Sequence, residues 1–282
     1  MPRIHPTAIV HPQAELADDV EVGPYAIVES DVKIGPACRI GEHAIIRRYT
    51  QMGSGNQVDA FVVLGSRPQD LKFDPRTVSY LRIGDDNVFR EGVTISRATG
   101  EGAATLVGSR TYWMMTSHAG HNAVVGDEAI LVNGSGLAGH AVLGRRSILS
   151  SNVMVHQFCW VGEGVMTRGN GGISQHIPPY VMTGFGINCV AGLNSVGLRR
   201  DPNMSDQDRR QIKEAFRLTY RSGLLTSKAL EKMDACADWG PAAIRFREFI
   251  RKALAAPRPY NRGIAPMIAR RGRRHRDEQS AD

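Results

Sequence analysis

The sequence predicts a mainly β protein, built as a stack of short parallel strands and followed by a small α-helical domain. Two observations carry that prediction. The first is a six-residue aliphatic beat over the amino-terminal two-thirds of the chain. The second is its replacement, after Pro179, by helical periodicity.

From Ile4, every sixth residue is aliphatic or Met: Val10, Leu16, Val22, Val28, Ile34, Ile40, Ile46, Met52, Val58 and Leu64 follow. The residue four places after each beat is usually small, as at Ala8, Ala14, Ala26, Cys38 and Ala44. The beat falters over "SRPQDLKFDPRTVSY", returns at Ile83, Phe89 and Ile95, and falters again over "SRATGEGAA". It then runs from Val107 through Trp113, Val125, Leu131, Leu137 and Leu143 to Ile173. A period of six fits neither a 3.6-residue helix nor a simple alternating strand. It fits short strands joined by tight corners, each turn of chain stacking on the last at about 4.8 Å. One aliphatic side chain per face fills the shaft, and the interruptions read as loops thrown outward.

The carboxy-terminal part is different. "SDQDRRQIKEAFRLTYRSG" opens with the capping candidate Ser205 and sets Ile212, Ala215, Phe216, Thr219 and Tyr220 on one helical face. A weaker helix is expected near Lys228 to Ala237. "PAAIRFREFIRKALAA" starts with Pro241 and places Ile244, Phe249, Ile250 and Leu254 in a further amphipathic pattern. The expected division is 1–190 for the stacked strands, with loops at 66–82 and 96–106, then 191–256 for the helices and 257–282 for a basic tail.

Composition narrows the function classes. The 282 residues are 42% hydrophobic and 22% charged, as in ordinary globular proteins. No apolar run approaches the ~18 residues of a membrane-spanning helix. The start, "MPRIHPTAIVHPQ", lacks the apolar core of a secretion signal, so a cytoplasmic location is expected. Cys38, Cys159, Cys189 and Cys236 form no C-x-x-C pair, which argues against a disulfide framework and a cysteine zinc site. The formal charge is +7, but Arg258 to Asp282 carries seven arginines and three acids, leaving only +3 elsewhere. The tail is therefore expected to be disordered, and the charge is weak support for a nucleic-acid partner.

The hexads resemble those of the left-handed parallel β-helix acyltransferases, whose coils are triangular prisms with three hexads per turn. That resemblance, running roughly from Ile4 to Pro179, implies the handedness, which opposes the usual crossover rule. With an eighteen-residue coil, His140 stands over Asn122 and His156 stands two coils above Gly120. His118, His121, His140 and His156 thereby project onto the arc from His118 to Asn122, at hexad positions that face outward or lie at corners. Stacked imidazoles of this kind suit either acid-base chemistry or a three-ligand zinc site, and spacing leaves both open.

Further motifs sharpen the resemblance. "PQDLKF", "SHAGHNAVVG", "LAGH", "VHQF", "IPPYV" and "YRSG" occur in the order, and at nearly the intervals, of the UDP-N-acetylglucosamine acyltransferases, which make the first acyl transfer of lipid A synthesis. In that family the donor is a hydroxyacyl chain on acyl carrier protein and the acceptor is a UDP-amino sugar. The resemblance implies His121 as general base and the Gly139 amide as oxyanion donor. It implies substrate contacts at His118, Asn122, His140, His156, Asp70 and Lys72. Gln157, Asn194 and Arg200 correspond to nucleotide and diphosphate contacts, and Gly169 to the position limiting acyl-chain length. It implies a homotrimer and neither a metal nor a bound organic cofactor. Two positions depart from the pattern: Asn122 stands where Asp is usual, and Val196 where Glu is expected. Two other functions stand beside the acyltransferase: the stacked imidazoles suit a zinc-dependent hydratase like the prism-shaped carbonic anhydrases, and the two departures suit a weakened homologue that binds a nucleotide sugar or carrier protein.

Overall fold

The computed structural model describes residues 1–268. Three parallel sheets of eight, nine and eight short strands form the walls of a prism, and the chain visits them in strict rotation. Arg3–Ile4, Ile9–Val10 and Glu15–Leu16 open the first, second and third walls respectively. Each coil lies directly on the last: Ile4 pairs with Val22, Val22 with Ile40 and Ile40 with Val58, always eighteen residues apart. The pairing steps from Val58 to Phe89 and from Phe89 to Trp113 because two loops are inserted between those coils. The irregular spans are 67–79 and 97–103, and both leave the second wall and return on the third.

The beat residues fill the shaft. Val22, Ile40, Val58, Phe89, Trp113, Leu131 and Leu149 are buried in a column on the first wall, and the other walls repeat the arrangement. The corners explain the small companions. Ala123 donates its N–H to Gly120 at 3.3 Å while Asn122 sits at φ 58°, a four-residue turn of type II character. Its last residue points inward, where Ala123, Ala141 and Cys159 are buried. Left-handed φ at non-glycine residues costs of order 1 kcal/mol each. Here Asp31, Tyr49, Asn122, His140 and Phe158 all adopt it, held by inter-coil hydrogen bonds such as His140 N–H to His121 O at 2.9 Å. The polar companions Asn56 and Asn87 are bonded: Asn56 donates to Gly53 O and Gly84 O, and Asn87 donates to Asn56.

Beyond the prism come α1 (Ser195–Arg200), α2 (Asp206–Tyr220), α3 (Thr226–Asp234) and α4 (Pro241–Leu254). Ser205 and Asp208 close a reciprocal capping box on α2. Ile212, Ala215, Phe216 and Thr219 are buried there as the periodicity required, with Tyr220 partly buried. The α4 face needs correction. Ile244 and Leu254 are exposed, and the buried line is Ala242, Ala243, Phe246, Ile250 and Ala253. Alanines at close helix contacts outweighed bulkier residues on the neighbouring face.

The expected tail is also corrected over its first part. Residues 257–268 return to the prism, where Ile264 bridges His176, Met267 bridges Val190 and Ala265 is fully buried. Two backbone hydrogen bonds fix this strap on His176, from His176 N–H to Gly263 O and from Ala265 N–H to His176 O. The basic run from 269 to 282 lies outside the described residues.

Each inward layer supports the next, so removing one core side chain should be costly. Leu131→Ala should destabilise the protein by about 2–5 kcal/mol in equilibrium denaturation. A loss under ~1 kcal/mol would contradict a close-packed shaft.

Candidate active site

The edge between the second and third walls collects the chemistry. His118 lies in a second-wall strand, His118–Ala119, and the chain then turns through His121 and Asn122 into Val124–Val125 on the third wall. One coil on, the same corner carries Gly139 and His140; one more brings Gln157 and Phe158. Both inserted loops spring from this edge, so they overhang it.

Asn122 fixes the protonation pattern of His121. Its Oδ1 accepts from the backbone N–H of Thr99 at 3.0 Å and from the Thr99 hydroxyl at 2.9 Å, which makes that atom the amide oxygen. The same oxygen lies 3.0 Å from His121 Nδ1, so Nδ1 must carry the proton in the neutral ring. Nε2 is then left with its lone pair. That nitrogen faces Gly139 closely: a Cβ added to Gly139 would stand 2.6 Å from Nε2 and Cε1. Glycine is required there because any side chain would occupy the imidazole's place. The Gly139 N–H donates to no acceptor among the described residues, as is also true at the equivalent corner positions His121 and Gln157.

The neighbouring imidazoles are held as well. His118 Nδ1 contacts Thr94 Oγ1 at 2.8 Å, and burial lowers the His118 pKa. His140 packs edge-on to His121, with ring centres 5.2 Å apart, and stacks on Phe158 at 4.8 Å. Burial first, and then the charge of His121, lower the His140 pKa, while Asp70 opposes them. Asp70 lies in the 67–79 loop, where its Oδ1 accepts the Lys72 N–H at 2.9 Å. His156 is exposed and sits by Gln157 O at 3.1 Å. Among the described residues no three His, Cys, Asp or Glu side chains gather as a metal-holding group.

Three expected site residues stand elsewhere. Asn194 caps α1 through Gly197 N–H and donates to Gly164 O at 3.0 Å, on the third-to-first edge. With Arg200 it lines a cavity of about 220 Å³ that also holds Arg145, Arg146, Glu163 and Tyr180. Gly169 lies between Met166, paired with the first wall, and the second-wall strand Gly172–Ile173, so it belongs to the remaining edge. One copy of the chain does not gather these residues with the histidines.

The structure adds residues that motif spacing did not reveal. Thr99 orients Asn122, and Phe158 backs His140; the latter sits eighteen residues on and follows from register alone. Tyr260, from the strap, meets Phe158 edge-on at 5.2 Å and brings its hydroxyl to 3.5 Å from His140 Nδ1. His176 anchors that strap. Its Nδ1 accepts the Trp160 N–H at 3.1 Å, so its Nε2–H donates to Tyr260 O at 2.7 Å. No sequence signal linked Tyr260 to residues 84 and more positions away.

Comparison with known proteins agrees with this architecture. A family model described as UDP-N-acetylglucosamine O-acyltransferase, domain 2, matches residues 177–265, and a bacterial transferase hexapeptide model matches 13–48. An acyl-(acyl-carrier-protein) UDP-N-acetylglucosamine O-acyltransferase from Synechocystis sp. is 39% identical over 252 residues, 89% of this chain and 90% of that protein. One of the same name from Syntrophobacter fumaroxidans is 41% identical over 242 residues, 84% of this chain and 93% of the relative. The crystal structure of UDP-N-acetylglucosamine O-acyltransferase from Moraxella catarrhalis superposes with a TM-score of 0.85 at 35% identity, covering 93% of this chain and 99% of that one. The fold is accordingly the left-handed parallel β-helix with a helical carboxy-terminal part.

The buried imidazoles carry a pH consequence. His118, His140 and His176 all have pKa values below the ordinary 6.5, mainly through burial. Their contribution to stability is complete above pH 6.5 and is lost as pH falls through the lower folded values, because the unfolded chain takes up the protons first. The melting temperature should therefore drop as pH falls below about 6.5, starting above the range where carboxylates titrate. A flat or rising profile in thermal denaturation would contradict this.

Proposed function

Because the chain belongs to the UDP-N-acetylglucosamine O-acyltransferase family, we propose that it transfers a hydroxyacyl chain from acyl carrier protein to the 3-position of UDP-N-acetylglucosamine or a close UDP-amino sugar. This is an early step of lipid A synthesis. The observation that carries the mechanism is the hydrogen bond from His121 Nδ1–H to Asn122 Oδ1, which leaves Nε2 as a base beside Gly139.

In the proposed reaction, Nε2 removes the proton from the sugar 3-hydroxyl as that oxygen attacks the thioester carbonyl. The carbonyl becomes an oxyanion, and the Gly139 N–H is oriented by the corner to donate to it. Collapse expels the carrier thiolate, which takes the proton back from the imidazolium, so an ester forms as the thioester breaks. Asn122 holds the ring in the required tautomer through a neutral dipole, supported by two bonds from Thr99. An Asp in its place would add charge stabilisation of the imidazolium, so the neutral amide lowers the ceiling on rate without removing the base. Asp70 and Lys72, on the loop that springs from this edge, suit the sugar, with His118, His140 and His156 as further contacts.

The distribution of the remaining residues supports a homotrimer whose site is shared between copies. Asn194, Arg200 and Gly169 lie on edges other than that of His121. A neighbouring prism can bring those edges to the histidines, where arginine supplies a charged fork for the diphosphate. No helix among the described residues is long and apolar enough to cross a membrane.

Two experiments test the proposal. His121→Ala should reduce turnover by about 10²–10⁴-fold, with products identified by mass from carrier-bound acyl chains and UDP-sugars; a fully active variant would reject the mechanism, and wild-type protein that binds these substrates without transfer would mark a weakened homologue. For the shared site, His121→Ala and Arg200→Ala chains should each be inactive alone, yet mixed and reassembled they should regain about a quarter of wild-type activity or less, since only some interfaces pair two intact halves. Absence of any recovery, with mixed oligomers present, would place the whole site in one copy.

A further inference from the structure

A second concave region lies on the same second-to-third edge, amino-terminal to the histidines and beside the 67–79 loop. It encloses about 630 Å³, and Arg47, Arg48, Arg67, Arg76 and Arg97 line it with a single carboxylate, Glu29. Three of the arginines are neutralised: Arg47 by Glu29, Arg48 by Asp31 and Arg76 by Asp74. Arg67 and Arg97 have no ion-pair partner among the described residues.

Arg97 is the unusual member. It is only 5% exposed, and its guanidinium is built into place. Nη1 donates to Thr77 O at 2.8 Å, to Ser79 O at 3.3 Å and to Ser79 Oγ at 3.2 Å. Tyr49 and Phe73 each lie against the charge with ring centres 5.1 Å away. Its Nε and Nη2 make no hydrogen bond among the described residues. A buried cation with no counter-ion is costly. Burial, together with the charges of Arg67 and Arg48, accordingly weakens its hold on its proton, only partly opposed by Tyr49 and Glu101. A doubly charged oxyanion in the cavity would remove that cost and use the two spare N–H positions of the fork.

We propose that this cavity is a binding site for a phosphate group, with Arg97 as the fixed fork and Arg67 as the second, solvent-side charge. The site is wired to the chemistry. Arg97 lies two residues before Thr99, whose N–H and hydroxyl hold the Asn122 oxygen that sets the His121 tautomer. An anion on Arg97 steadies the start of the 97–103 loop and hence that chain of hydrogen bonds.

Calorimetric titration of the full chain with inorganic phosphate at low chloride tests the site without reference to acyl transfer. A saturable component should appear and weaken about tenfold in Arg97→Gln and about threefold in Arg67→Gln. Arg67 makes no hydrogen bond or ion pair among the described residues, so its variant should melt at the wild-type temperature and decides the matter if Arg97→Gln does not fold. No saturable binding up to about 10 mM phosphate overturns the proposal. So does binding that survives both variants and disappears in Arg146→Gln, which would place the anion in the cavity beside α1. Acyl-transfer kinetics, which rest on the function proposed above, then identify the source. A KM increase in Arg67→Gln for the carrier-bound donor alone assigns the phosphate to the donor, and one for the nucleotide sugar alone assigns it to the acceptor. Unchanged KM values with weakened phosphate binding assign a free phosphate.

Discussion

The eighteen-residue register of the coil is the constraint on which everything else depends. Each two-residue strand makes too few hydrogen bonds to persist alone. Stacked in exact rotation, every strand donates to the coil above, and the beat residues of successive coils meet in one continuous core. The register is enforced at the corners, where residues such as Asn122, His140 and Phe158 are held at positive φ. A slip of one residue would expose the aliphatic column and bury the corner side chains. Because the register cannot slip, a column of residues at a corner is a rigid scaffold, and this protein has placed imidazoles on one.

The two insertions show how a uniform prism becomes a specific site. Both loops are added between the second and third walls, leaving the ladder intact on either side. The first carries Asp70 and Lys72, and the second supplies Thr99 to Asn122. The same pair of loops shapes the arginine cavity through Arg67, Arg76 and Arg97. The residues proposed for substrate and anion contacts thus lie largely on irregular segments whose ends are pinned by regular strands, which is where functional loops are expected.

The strap from 257 to 268 joins the helical domain to this edge. A buried neutral histidine, His176, accepts from Trp160 and donates to Tyr260, so the strap's position depends on His176 remaining uncharged. Tyr260 then closes an aromatic series through Phe158 to His140 and His121. The imidazoles are packed by the carboxy-terminal chain as well as by their own corner.

The sequence by itself determined a stack of short strands around an aliphatic core, because a six-residue beat of Val, Ile and Leu suits neither a helix nor an alternating strand; the three-walled prism and its hand came from the family resemblance. It also determined the histidine column, since residues eighteen apart must align once the circuit is known. Ser205 and the α2 face were equally legible, being local. Tertiary structure alone decided the rest. The α4 face was misread because close packing favoured Ala242, Ala243 and Ala253 over the bulkier Ile244 and Leu254. Periodicity does not encode which neighbour a helix meets. The strap, the Tyr260 contact and the edges occupied by Asn194, Arg200 and Gly169 depend on distances across the fold. Such contacts join residues far apart in the chain through shape and burial, and no local spacing carries them.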